Sequence, residues 1–207
     1  MKVNQLKAGA ALSYISMGLG YIISIIYTPI MLRLLGQSEY GLYNLVSSVV
    51  SYLGLLSFGF GNAYMRYYSR YKVKDDDENI AKLNGMFLTV FLIIGFIAVM
   101  AGSVLVLNTE LIFGAKLTKN ELSTAKVLMS IMVFNLALSF PASIFNSYIT
   151  ANEEYIFQKV VQMIKTVMNP FVMLPILLMG YRSVGMVVVT TAFTISVEII
   201  NIKIGRA

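Results

Sequence analysis

Two long runs, residues 8–32 and 40–65, contain no charged side chain, which constrains the fold more than any other feature of the sequence. A helix as long as residues 8–32 measures about 38 Å, enough to cross a hydrocarbon core of about 30 Å. Lipid offers the backbone no hydrogen-bond partner, so only helices and closed barrels span it, and the alternation of barrel strands is absent. The chain is therefore predicted to be an all-α integral membrane protein.

Apolar runs of this kind make up most of the chain, which is 57% hydrophobic and 13% charged with a mean hydropathy of +0.75. We expect a single bundle of six transmembrane helices over residues 1–207. The predicted spans are about 8–32, 40–65, 83–109, 127–152, 160–181 and 184–202. Buried helices of a large soluble core are the less favoured alternative because the runs are so long. The first run also exceeds the apolar core of a cleaved signal peptide.

Lysine and arginine are unevenly divided between the two sides of this bundle. Eleven, including Lys2 and Arg206, lie at the termini, in the 66–82 loop and in the 153–165 segment, and five lie on the opposite side. Cytoplasmic loops carry the excess of basic residues, so both termini are predicted to lie in the cytoplasm. The net charge of +6 then reflects topology and attraction to anionic membrane lipids, and nucleic acid is not an expected partner.

The chain contains neither cysteine nor histidine. This excludes disulfides, zinc ligation by Cys or His, a histidine proton switch and the usual serine triad. No G-x-x-x-x-G-K-[ST] phosphate loop occurs, so the chain carries no ATP-binding motor of its own. We therefore expect no enzymatic activity, no cofactor and no metal ion.

Two polar segments are predicted to begin helices. The acidic run in "KVKDDDENIAKLNG" (72–85) lacks the central glycine of a calcium loop, whereas acids are stabilised at a helix N-terminus. It is therefore predicted to open the third helix. In "TKNE" (118–121), Thr118 and Glu121 have the spacing of a capping box and are predicted to start the fourth helix.

Small and polar residues repeat along one face of every predicted helix except the third, which is therefore placed towards lipid. On the first helix Ser16, Gly20, Ser24 and Thr28 follow small-xxx-small steps that permit close helix contact. The candidate residues for a polar pathway are Asn44, Ser48, Ser51, Asn62, Arg66, Asn135 and Lys165.

Two hypotheses explain these faces: they line helix–helix contacts, or several of them converge on a hydrated cavity. Lys165 and Glu198 favour the cavity, because ionisable residues inside spans usually face an interior path or each other. The two residues lie nearly equally far from the turn at Arg182, on antiparallel helices, so they have the same depth in the membrane. They are predicted to form a structural ion pair.

Three stretches together resemble a known family: "LRLLGQSEYGLYNLV" (32–46), "LSFGFGNAYMRYYSRY" (56–71) and "LMGYRSVGMVVVTT" (178–191). They are similar to the polysaccharide (oligosaccharide-lipid) flippases of the multidrug/oligosaccharidyl-lipid/polysaccharide exporter superfamily. Gly36, Glu39 and Tyr40 resemble the family's link between its first two helices, and Asn62 and Arg66 resemble the end of its second helix. The resemblance extends over essentially the whole chain.

The resemblance implies a multi-pass protein of the cytoplasmic membrane that transports a lipid-linked oligosaccharide for cell-surface polysaccharide biosynthesis. Transport would proceed from the cytoplasmic to the outer leaflet by alternating access. Such substrates carry a pyrophosphate on a polyprenyl chain, and Arg and Lys bind phosphate well. The resemblance therefore makes Arg66 and Lys165 the substrate-pathway residues most expected to contact the substrate.

The family usually has twelve or fourteen helices in two similar halves, whereas six are predicted here. We therefore expect an amino-terminal half, either truncated or acting with a second six-helix half or another copy. A cation-coupled multidrug exporter half and a non-transporting membrane scaffold remain alternative functions. A drug exporter would more naturally carry an acid in its first helices, and none lies between Lys7 and Arg33.

Overall fold

A computed structural model describes residues 5–57, 59–114, 116–152 and 155–204. Lys2 and Arg206, two of the basic residues used to predict orientation, lie outside the described residues. The helices are α1 (Gln5–Leu35), α2 (Gln37–Leu53), a 3₁₀ turn (Gly54–Ser57), α3 (Phe60–Lys72), α4 (Asp77–Leu107), α5 (Thr109–Phe113), α6 (Lys119–Ala151), α7 (Tyr155–Leu178) and α8 (Arg182–Ile204).

The predicted fold class is confirmed. The described part of the chain is all-helical, with 92% of residues in helices and no strands. Within the described residues, six segments are long and apolar enough to cross a membrane: Gly9–Leu35, Gln37–Lys72, Asp77–Leu107, Lys119–Ala151, Lys159–Leu178 and Arg182–Ile199.

The second span is a broken helix, which the sequence pattern did not predict. The first helix of this span, α2, ends at Leu53. A 3₁₀ turn follows, and the second helix, α3, begins at Phe60. Gly59 lies between the turn and α3 with a φ of 84°, a left-handed conformation that glycine adopts without steric cost. The span therefore consists of two helices, α2 and α3, that can take different directions through the membrane.

Helix α6 is the central element of the bundle. Apolar side chains of α6 pack against α3 and α4 in one core cluster that includes Phe91 and Phe140. They pack against α2 and α8 in a second cluster that includes Val46 and Met129. A third cluster joins α1, α7 and α8, so α1 attaches to the rest of the bundle mainly through α7.

Helix α4 packs on α6 through one face and exposes the other. At Gly102 an added Cβ would lie 2.3 Å from a methyl carbon of Val133, so the two helices approach each other closely there. On the opposite side Phe96, Met100 and Val104 are more than half exposed. This arrangement agrees with the expectation that the third span faces lipid.

Two stacked tyrosines hold α3 against α4 and the end of α6. The rings of Tyr64 and Tyr68 stack with centroids 5.7 Å apart and are both buried. The Tyr64 hydroxyl donates to Asn84 Oδ1 of α4 at 2.6 Å, and the Tyr68 hydroxyl donates to Asn152 Oδ1, after α6, at 2.9 Å. Buried tyrosines with satisfied hydroxyls fix the rotation of α3, which decides which of its residues remain exposed.

Both predicted helix starts are confirmed. Asp76 is the N-cap of α4, and its carboxylate accepts hydrogen bonds from the side chain and backbone of Asn79, which hold the pKa of Asp76 below its usual value. Thr118 and Glu121 form the full capping box at the start of α6. Ser38, at the start of α2, donates a hydrogen bond to the same Glu121 carboxylate.

Glu39 connects the α1–α2 turn to the start of α8. One carboxylate oxygen accepts hydrogen bonds from the backbone N–H of Ser183 at 2.9 Å and from its hydroxyl at 2.7 Å. The other lies 3.7 Å from the Arg182 guanidinium, and the Glu39 side chain is 16% exposed. Ser183 is fully buried. A carboxylate from a distant part of the chain thus stabilises the N-terminus of α8.

Replacing Glu39 tests whether this contact contributes to stability. Glu39→Ala leaves the buried Ser183 donors without their acceptor, and we expect it to lower the free energy of unfolding by about 1–3 kcal/mol. Glu39→Gln keeps an acceptor oxygen and should lose less. The measurement is thermal unfolding of the purified protein in lipid nanodiscs.

The matched control is Glu110→Ala, which removes an ion pair between Glu110 and Lys126 whose carboxylate is 71% exposed. We expect a change below about 0.5 kcal/mol for that variant. Equal losses for Glu39→Ala and Glu110→Ala would show that the link between the α1–α2 turn and α8 adds no more stability than an exposed ion pair.

Candidate functional site

An open cavity of about 850 Å³ lies between α1, α6, α7 and α8. Its walls combine apolar surface with many polar side chains, although they belong to membrane-spanning helices. The polar lining residues are Tyr21, Ser24, Tyr27, Thr28, Asn146, Gln162, Lys165, Thr166, Asn169 and Glu198. Several of the polar faces found in the sequence therefore meet around one space, as the cavity hypothesis predicts.

The two intramembrane charges belong to this cavity. Lys165 lines it from α7 and Glu198 lines it from α8, and both residues are half-buried. Placement on two adjoining helices around one space agrees with the equal-depth argument. Their direct pairing stays a prediction.

The small residues of α1 lie on the α7 side of that helix. Gly20, Ser24 and Thr28 line the cavity, and a Cβ added at Gly20 would lie 4.0 Å from a methyl carbon of Thr166. The opposite face of α1 carries exposed large side chains such as Ile15 and Ile22. The small stripe of α1 therefore serves contact with α7 and lines the cavity.

The sequence pattern did not single out Tyr27, which the structure adds to the cavity. Its hydroxyl oxygen is buried and, among the described residues, has no hydrogen-bond partner. Tyr27 follows Ser24 by three positions, so helical spacing from the small stripe was the signal that could have identified it.

Pro170 adds a second source of polarity to the cavity. A proline has no N–H, so Pro170 removes the helical hydrogen bond that would otherwise reach the carbonyl of Thr166. Both residues line the cavity. In the wall formed by α7, the Thr166 carbonyl therefore lacks its usual helical donor and adds a backbone acceptor to the side chains of Lys165 and Asn169.

A second polar surface follows the open side of α2 and α3. Five candidate residues from the sequence are exposed along it: Asn44, Ser48, Ser51, Asn62 and Arg66. None of them lines the cavity described above. We call these five residues the α2–α3 polar face.

The structure shows how α2 tolerates polar side chains on an open face. Asn44 donates to the Tyr40 carbonyl at 3.0 Å, Ser48 donates to the Asn44 carbonyl at 2.8 Å, and Ser51 donates to the Ser48 carbonyl at 2.7 Å. Such local bonds satisfy short side chains without a partner from another helix. The Arg66 guanidinium is too long and too strongly charged to be satisfied in this way.

Asn135 lies apart from both surfaces. Its side-chain amide donates to the Thr191 hydroxyl at 3.2 Å, across the contact between α6 and α8, and Thr191 is buried. The structure thus places Asn135 in a helix–helix contact and supports the packing hypothesis for this residue. The other candidates divide between the cavity, which holds Lys165 and Glu198, and the α2–α3 polar face.

No three His, Cys, Asp or Glu side chains approach closely enough to hold a metal ion within the part of the chain that the structure describes. The acidic run near Asp76 opens α4 as a helix cap and first turn. The groups available for chemistry in the cavity are therefore an ammonium, one carboxylate, amides and hydroxyls.

Comparison with known proteins identifies one family. A family model described as "Polysaccharide biosynthesis protein" matches residues 6–203, nearly the whole chain. No curated protein and no solved structure matches significantly.

A double-mutant cycle tests the predicted ion pair. Lys165→Ala or Glu198→Ala alone leaves a charge without its partner in the membrane, and each should lower the free energy of unfolding by about 1–3 kcal/mol. The double replacement should cost at least about 1 kcal/mol less than the sum of the two. Thermal unfolding in nanodiscs measures all four proteins.

The control cycle uses Glu78 and Lys82, an exposed pair one helical turn apart at 2.7 Å, where the coupling should be only a few tenths of a kcal/mol. Strictly additive losses at Lys165 and Glu198 would show that these two residues do not interact.

Proposed function

The chain belongs to the polysaccharide biosynthesis protein family, and on that premise we propose that it transports a lipid-linked oligosaccharide across the cytoplasmic membrane. The substrate would move from the cytoplasmic to the outer leaflet, and the chain would act as a transporter and not as an enzyme. The observation that carries this proposal is the α2–α3 polar face, an open polar surface that ends in an arginine on a span whose other side packs in the apolar core.

The chemistry of this face suits an amphiphilic anion. The polyprenyl chain of the substrate can stay in lipid, whereas its pyrophosphate and its hydrophilic glycan cannot. Arg66 offers several N–H donors in a fixed geometry that matches phosphate oxygens. The amide and hydroxyl groups of Asn62, Ser51 and Ser48 continue from Arg66 along the span. We infer that the pyrophosphate contacts Arg66 first.

Orientation is part of the proposal. The excess of basic residues places both termini and the segment between α3 and α4 in the cytoplasm. Arg66, two turns before the end of α3, then lies near the cytoplasmic surface, where a lipid-linked precursor would enter.

Alternating access requires two bundles that rock against each other around a site between them. We propose that the α2–α3 polar face contacts the second bundle, supplied by a second six-helix half or by another copy of this chain. This contact would shield the polar face from lipid. A non-transporting scaffold, in contrast, gives no reason for an exposed polar surface that ends in Arg66.

Transport can be measured with the 207-residue chain in vesicles that contain a fluorescent polyprenyl-pyrophosphate oligosaccharide in the cytoplasm-equivalent leaflet. We expect a signal when a matching second half is supplied. Arg66→Gln should lower the rate at least about tenfold, and Arg66→Lys should retain part of it because the charge remains. Arg33→Gln is the matched control, because Arg33 is exposed in the last turn of α1 and lies outside both polar surfaces.

Orientation in the vesicles is read from single cysteines, since the chain has none of its own. Ser123→Cys and Lys74→Cys are both exposed and should react with an impermeant thiol reagent from opposite sides. Labelling of both from the same side would overturn the proposed topology. Full transport by the chain as a monomer would overturn the two-bundle proposal, and unchanged transport by Arg66→Gln would remove Arg66 from the pathway.

A further inference from the structure

The cavity between α1, α6, α7 and α8 has a different chemical character from the α2–α3 polar face. Its lining includes one ammonium, Lys165, and one carboxylate, Glu198, so the ionisable side chains contribute no net charge. The remaining polar groups are amides, which both donate and accept hydrogen bonds, and hydroxyls, which do the same. Such a lining favours a ligand that also carries many donors and acceptors without a large net charge.

We propose that this cavity binds sugar rings of the glycan portion of the substrate, separately from the pyrophosphate. The inference rests on the proposed function and deepens it by assigning the two ends of the substrate to two surfaces. A volume of about 850 Å³ lies within the usual range of small-molecule sites, about 300–1,000 Å³.

Two features of the cavity fit a pyranose ring. Amide and carboxylate groups of Asn146, Asn169 and Glu198 can bond to neighbouring sugar hydroxyls, which are both donors and acceptors. Tyr21, at the rim, is 61% exposed and offers an aromatic face to the apolar side of the ring. A bound ion would contact only groups of the opposite charge or dipole, and it would not explain why donors and acceptors occur together in the lining.

A bound ligand could satisfy two polar groups of the cavity wall. The Tyr27 hydroxyl has no partner among the described residues, and because it is buried, donation to a sugar oxygen requires its ring to turn towards the cavity. The carbonyl of Thr166, released from its helical bond by Pro170, can accept from a sugar hydroxyl. A buried polar group without a hydrogen bond is costly, so a bound ligand that supplies one gains affinity.

The chain contains no tryptophan, so one can be introduced as a single reporter. Tyr21→Trp places it at the cavity rim. Phe96→Trp places the control reporter on α4, 65% exposed and remote from the cavity lining. Each protein, in nanodiscs free of glycoside detergents, is titrated with the methyl glycosides of glucose, galactose, N-acetylglucosamine and glucuronic acid.

We expect at least one glycoside to change the Tyr21→Trp fluorescence saturably and to leave Phe96→Trp unchanged. Adding Asn169→Ala should weaken that binding by about tenfold, the effect of losing one hydrogen bond of about 1.4 kcal/mol. Adding Asn120→Ala should not change it, because Asn120 is exposed in the first turn of α6, outside the cavity.

The proposal is overturned if no glycoside binds, or if Asn169→Ala and Asn120→Ala leave binding equally strong. It is also overturned if Na⁺ or inorganic pyrophosphate gives the saturable change and the glycosides do not, since the cavity would then be an ion site. Binding of free glycosides does not need transport. If no glycoside binds but the vesicles still transport the substrate, the glycan site is ruled out and the transport function stands. If a glycoside binds but the vesicles do not transport the substrate, the transport function is ruled out and the glycan site stands.

Discussion

Hydrocarbon supplies no hydrogen-bond partner, so every polar group within a span must be satisfied by the protein or by water. Short side chains meet this condition locally. Ser48 of α2 and Ser143 of α6, for example, each donate to the carbonyl one turn earlier at 2.8 Å. Long or charged side chains cannot do so, and they must face a space that admits water or another partner. This difference separates residues that only pack from residues that define polar surfaces.

The bundle is arranged so that both polar surfaces lie outside its apolar clusters. Helix α6 contributes to two of the three clusters and holds α3, α4, α2 and α8 around it. Helix α1 attaches mainly through α7 and leaves the cavity beside that contact. The stacked side chains of Tyr64 and Tyr68 face inward and fix the rotation of α3, so that Arg66 remains exposed. Packing therefore decides the position of the polar groups on which the proposed function depends.

The sequence predicted the features that depend on local properties of the chain. The lengths of the apolar runs indicated six spans, and the spacing of Thr118 and Glu121 indicated the helix cap that the structure contains. The equal distances of Lys165 and Glu198 from the turn at Arg182 also predicted that the two residues lie at one depth, and both line the same cavity.

Features that depend on which helices touch were not predictable in this way. Glu39 bonds to Ser183 only because the two turns meet in the folded bundle, and Asn135 bonds to Thr191 only because α6 contacts α8. In the sequence, Asn135 suited a pathway and packing equally well, and Glu39 was noted only in the link between the first two helices. The break before α3 was also missed. An apolar run predicts the length of a span but not the left-handed conformation of a glycine such as Gly59 within it.

The central claim is that the polar face of α1 lines a hydrated cavity within the membrane, and cysteine accessibility in native membranes tests it most directly. Ser24→Cys and Thr28→Cys lie on the cavity side, and Ile22→Cys and Ile25→Cys lie on the exposed apolar side, in a chain with no other cysteine. A charged methanethiosulfonate reagent reacts with thiols in water and not with thiols in lipid. We predict modification at positions 24 and 28 and none at 22 and 25. Equal modification at all four positions, or modification at 22 and 25 alone, would contradict the account.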